Sequence, residues 1–229
     1  MAERNSQLKK DVIAACKILT EKRLVEGFGH VSARIPGSDL FILTPRIGLD
    51  LLTEKDLLVC NLNDEVVRGR TPPPIEAPLH SAILRRRSDV MAVTRIHART
   101  ANYFGATRVK LEPAHNHGGH FAGGVPVFPK GNLILTRRLG DAVAAKLGKK
   151  PAILLRGNGQ VTVGSSIPEA VMMAIYLEEC ADIYFGALQI GKPLRLLPKE
   201  SKLRGRESLS GADLTRAWNF FKSRLGRER

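Results

Sequence analysis

Between residues 31 and 67 the chain passes through four short apolar stretches, each stopped by glycine, proline or an Asn-Asp pair. The stretches at 31–35, 40–43, 57–61 and 65–67 are too short for helices, and Gly37, Pro45, Gly48 and Asn63-Asp64 separate them. Runs of four or five residues closed by turn formers predict strands with tight connections, hence mostly antiparallel neighbours. The rest of the chain supplies helices to cover such a sheet. Leu8, Val12, Ile13, Cys16, Leu19 and Leu24 keep helical spacing over 6–26, ahead of Gly27. The stiff run Thr71-Pro72-Pro73-Pro74 fits no regular element, and a helix is predicted behind it over 75–86. Residues 91–96 read as a buried strand, 99–104 as a short helix, and 115–124 as a Gly/His loop. A helix over 136–147 has Thr136 as its N-cap, and strands at 152–155 and 160–163 flank the turn Gly157-Asn158-Gly159. Pro168 and Glu169 open a long amphipathic helix over 167–190. The pattern predicts an α+β fold with helices on the faces of a mostly antiparallel sheet.

A chain of 229 residues suits one domain. That domain is expected over 1–198, with a basic C-terminal extension over 199–229. The extension reads as a Gly/Ser-containing linker after Pro193 and Pro198, then a helix over 213–224. Its Trp218 and Phe221 need burial, which suggests a subunit-packing segment. No stretch approaches the roughly 18–20 apolar residues that span a bilayer, and the N-terminus lacks the apolar core of a signal peptide. Three cysteines, Cys16, Cys60 and Cys180, have no paired spacing and predict reduced thiols of a cytoplasmic protein. The net charge of +14 admits nucleic acid, anionic substrates or a solvated basic face. No RNP motif, zinc-finger spacing or Gly-Lys phosphate loop accompanies it, so neither nucleic acid nor a membrane is the expected partner.

Six histidines, at 30, 80, 97, 115, 117 and 120, put three in one six-residue loop. Imidazole serves equally as metal ligand and as proton carrier, so the cluster marks a site without naming its chemistry. Glu76 begins a helix behind three prolines. Its plain reading is a carboxylate complementing the helix dipole. The alternative is a general acid/base in low-dielectric surroundings.

Five segments in order resemble one family. GHVSARI (29–35) is similar to its GNxSxR segment, and ILTPRIG (42–48) to its TPxG turn. Glu76, the helix after it and the strand ending Arg95-Ile96-His97 match an acidic residue, helix and HxH strand. LLRGNGQVTVG (154–164) resembles LLxNHGxxxxG, and EAVMMAIYLEECADI (169–183) the long helix that follows. The family is the class II aldolase/adducin superfamily, and the match covers roughly residues 6–195. The resemblance implies a central, mostly antiparallel sheet flanked by helices, homotetramers, and active sites at subunit interfaces. It also implies a divalent metal held by both histidines of the strand and one of the NHG turn, with the glutamate moving a proton.

Two of those ligand positions are altered here, to Arg95 and Asn158, while Glu76 and His97 are kept. An arginine cannot ligate a cation and repels one, so the family's zinc site is expected to be weakened or absent. Arg95 would instead grip a carboxylate or stabilise an enolate. A retained divalent ion, zinc or manganese, would draw on His97, His115, His117 and Asn158. The family's phosphate-binding serines are replaced by Pro74 and Ile75, and its asparagine by His30. These changes disfavour a sugar phosphate and suit a flatter carboxylate. The loop HNHGGHFAGG (115–124) resembles the branch that decarboxylates hydroxylated aromatic or pyridine carboxylates.

The resulting expectation is a carbon–carbon lyase on a non-phosphorylated, cyclic carboxylate, with decarboxylation as the reaction. Glu76, Arg95 and His97 would be catalytic, and Gly29, His30, Thr44, Arg46, His115 and His117 would bind substrate. The alternatives are a retro-aldol lyase or dehydratase on a small hydroxy-carbonyl compound, and a non-catalytic, adducin-like binding protein.

Overall fold

A computed structural model describes residues 2–207 and 211–226, with the side chains of 2–4 and 204–207 excepted. Eight strands form one sheet in the order β4-β3-β2-β1-β5-β8-β7-β6. They are β1 (His30–Arg34), β2 (Leu40–Leu43), β3 (Leu58–Asn61), β4 (Val66–Arg68), β5 (Ala92–Ile96), β6 (Val127–Phe128), β7 (Ala152–Leu155) and β8 (Gln160–Gly164). Every pairing is antiparallel except β6 with β7. Two hydrophobic clusters, one on each face, follow from the alternation of strand side chains. Ala92 and Ile96 of β5 enter the cluster under α1 (Ala2–Glu21), α3 (Arg99–Ala106) and α5 (Ile167–Ile190). Val93 enters the opposite cluster, under α2 (Ala77–Arg86) and α4 (Arg137–Leu147).

Local chemistry sets the helix ends. The Thr136 hydroxyl accepts from Leu139 N, and that of Ser166 from Glu169 N. The helix pair α2 and α4 packs closely because Gly140 lies against the Pro78 carbonyl, where a Cβ would collide. Among the described residues no helix is long and apolar enough to cross a membrane.

Several boundaries differ from expectation. Helix α1 stops at Glu21, not near residue 26, since Arg23 adopts a left-handed φ of 55°. The Gly/His loop contains a 3-10 helix, Asn116–Phe121. The expected linker is in part a helix, α6 (Pro198–Glu207), packed on that 3-10 turn. Trp218 of the last helix, α7 (Gly211–Arg224), is buried in its own chain beside α1 and α5, so it needs no partner subunit to cover it.

Candidate active site

The chain enters α2 through the prolines 72–74, and Glu76 stands just before the first helical residue. Its carboxylate does not cap that helix. It points to the end of β5, where Oε2 lies 2.8 Å from Arg95 Nη2. Oε1 accepts from Ile134 N (2.9 Å) and from Asn158 Nδ2 (3.1 Å). Glu76 and Arg95 are only 3% and 2% exposed, so this is a buried ion pair rather than a surface one.

Arg95 is held from three sides. Beyond Glu76, its Nη2 donates to Asn158 Oδ1 at 2.6 Å, and its Nη1 lies against the His97 ring. The Phe28 carbonyl, 3.1 Å from His97 Nδ1, can only accept. The proton therefore belongs on Nδ1, leaving Nε2 to accept from Arg95. Burial, and then the Arg95 charge, push His97 below the usual imidazole range, so the ring is neutral near pH 7. Burial also lowers Arg95, against the pull of Glu76, yet a guanidinium stays charged at any working pH.

The turn that delivers Asn158 depends on Gly159. Its φ of 73° is unfavourable for other residues, and a Cβ would collide with the Ile96 carbonyl. Only glycine lets the β7–β8 hairpin lie so close to the end of β5.

The divalent metal implied by the resemblance does not fit this arrangement. Glu76, His97 and Asn158, three of the family's four positions, all address the guanidinium of the fourth. A cation already stands where an ion would go, and placing a second beside it is strongly unfavourable in so dry a site.

The remaining expected residues divide. Gly29 approaches the Arg95 backbone, and His30 pairs with Arg95 across β1 and β5. Thr44 is fully buried and its hydroxyl accepts from Val31 N, while Arg46 is exposed with its N–H on the Pro72 carbonyl. Thr44 thus ties the chain after β2 to β1, and Arg46 ties the following loop to the proline run. His115 and His117 do not gather with His97 and Asn158, as a shared metal set would require. Their side chains meet Glu179 of α5, and His115, His117 and Glu179 offer ligand atoms within 4.8 Å of one another that could hold a metal. Glu179, the Ile134 N–H and the Phe28 carbonyl were not foreseen from the sequence. Only Glu179 carried a signal, as one of the adjacent acidic residues Glu178 and Glu179 in the middle of a largely apolar helix.

Comparison with known proteins identifies the family of the chain. The model of the Class II Aldolase and Adducin N-terminal domain matches residues 10–185. A 3,4-dihydroxyphthalate decarboxylase of Terrabacter sp. (strain DBF63) is 31% identical over 94% of this chain and 95% of its own. The decarboxylase tropJ of Talaromyces stipitatus is 27% identical over 91% of this chain and 90% of its own. The L-fuculose 1-phosphate aldolase of Glaciozyma antarctica shares the fold, with a TM-score of 0.84, 23% identity, and coverage of 97% of this chain and 89% of the other. Decarboxylases and aldolases are both carbon–carbon lyases. With the family model spanning most of its length and a decarboxylase aligned end to end, this chain belongs to the class II aldolase and adducin family.

Proposed function

We propose that the chain is a carbon–carbon lyase that decarboxylates a small cyclic carboxylate, a hydroxylated aromatic acid by class, using Arg95 as the cation of its active site. The observation that supports this most is the guanidinium at the meeting point of Glu76, His97 and Asn158. Loss of CO2 breaks a carbon–carbon bond and leaves its electron pair on the ring. A ring oxygen can accept that charge if a fixed cation lies beside it, and a buried guanidinium needs no reorganisation to do so. Substrate oxygens would take over Nη bonds now made to Asn158 and His97. Glu76, ionised in its pair with Arg95, would take the proton of the ring hydroxyl and deliver it to the ring carbon as CO2 leaves, with His97, neutral at pH 7, fixing the orientation of Arg95. The exposed side chains of Phe28 and Ile75, on residues adjoining this centre, suit a flat apolar ring better than a phosphate.

The test is CO2 release from 3,4-dihydroxyphthalate and related hydroxybenzoates, with chelator present. Turnover by the wild type, lowered at least about 100-fold in Glu76→Gln, is the expected result. Cleavage products without CO2 would favour the second reading, retro-aldol cleavage of a hydroxy-carbonyl compound on the same residues. Unchanged turnover in Glu76→Gln would remove that residue from the chemistry.

A further inference from the structure

Glu76, Arg95 and the α2/α4 cluster occupy one face of the sheet, whereas His115, His117 and Glu179 lie on the α5 face. Nothing in the lyase reading uses this second group. His117 Nδ1 is 2.8 Å from Glu179 Oε2, and His115 Nε2 is 3.7 Å from the same oxygen, too far for a hydrogen bond. Both ring nitrogens of His115 are buried, and neither has a hydrogen-bond partner. Buried polar atoms left without a partner are unfavourable, so this pair calls for a group that binds it.

The surroundings point the same way. Tyr176, one helical turn before Glu179, stacks on His117 at 4.1 Å between ring centroids and 21° between planes, and so fixes the imidazole orientation. His117 and Glu179 open on a cleft of about 1380 Å³, also lined by Glu178, Asp182 and Asp213. The lining carries four carboxylates and three basic residues, so it lacks the basic excess of a chain whose net charge is +14.

We infer that His115, His117 and Glu179 form a binding site for a divalent first-row transition ion, separate from the lyase centre. Two imidazoles and one carboxylate are the donor set that zinc, iron(II) and manganese accept while keeping open positions, and here those positions face the cleft. The ion would tie the 115–121 turn to α5 and could receive an anionic oxygen from the cleft. This chain thus pairs a built-in cation at the position of the family's metal with an exchangeable one on the opposite face.

The full chain, freed of metal by chelator and dialysed, is titrated with Zn²⁺ by calorimetry and with Co²⁺ by visible absorption. One ion per chain is expected, with a Co²⁺ ligand-field band. His117→Ala and Glu179→Gln, both at half-exposed positions and checked for native circular dichroism, are expected to weaken binding about 100-fold or more. His97→Ala is expected to bind as the wild type does. The inference is overturned if neither ion binds at millimolar concentration. It is equally overturned if binding survives unchanged in His117→Ala and Glu179→Gln, whether or not it is lost in His97→Ala.

Discussion

Arg95 is a guanidinium almost wholly removed from water, so its neighbours decide whether it is an asset or a burden. Breaking a buried pair from one side leaves the other charge uncompensated, at about 3–5 kcal/mol. Glu76→Gln is therefore expected to destabilise the fold by that amount in urea unfolding. In Glu76→Gln/Arg95→Met the two losses should sum to well over the measured total, because no charge is left stranded. A second substitution tests exclusion of the family's metal. Arg95→His/Asn158→His restores two imidazoles beside Glu76 and His97 and removes the resident cation. That variant is expected to bind one more zinc per chain than the wild type, as counted by elemental analysis. These positions were legible in the sequence because motif order fixes them. Their mutual bonds were not, since partners 58 and 82 residues apart meet only through packing.

At the scale of elements, the seam between β1, β5 and α2 is unusually rich in imidazole. The rings of His30 and His80 lie 5.7 Å apart, and His80 Nδ1 is 2.8 Å from the Ser32 hydroxyl. Burial, and then the Arg95 charge, push His80 down to about 3, and burial with the charge on His80 pushes His30 well below its ordinary value. In the unfolded chain both would titrate near 6.5. Below that pH the unfolded state takes up protons that the native state refuses, so stability present above about 6.5 is lost progressively as pH falls toward 3. Urea midpoints across this window are expected to fall with pH, and less steeply in His80→Gln. The β7–β8 turn gives another handle. Gly159→Ala combines a positive φ with a collision at the Ile96 carbonyl, so it should displace Asn158 and lower turnover while leaving secondary structure intact by circular dichroism. Long periodic helices and turn-bounded strands could be read from sequence. The two-residue strand β6 could not, nor could α6, whose basic composition hides a helix supported by packing against the 116–121 turn.

At the scale of the whole molecule, the C-terminal extension completes the fold, because Trp218 is 6% exposed in the cluster shared with α1 and α5. Trp218→Ala is expected to cost about 3–5 kcal/mol in thermal or urea unfolding. The sequence marked Trp218 as needing burial, but not where it would go. A helix that closes on its own domain and one that closes on a neighbour present the same apolar stripe. The sheet, its two clusters and the order of elements are those of a metal-dependent lyase scaffold, yet the centre of the scaffold holds an arginine. The most direct test is a crystal soaked in zinc and measured at the zinc absorption edge. The guanidinium of Arg95 should lie among Glu76, His97 and Asn158, with no anomalous peak within ligand distance of those three residues. A zinc peak there, with Arg95 swung out, would contradict the account.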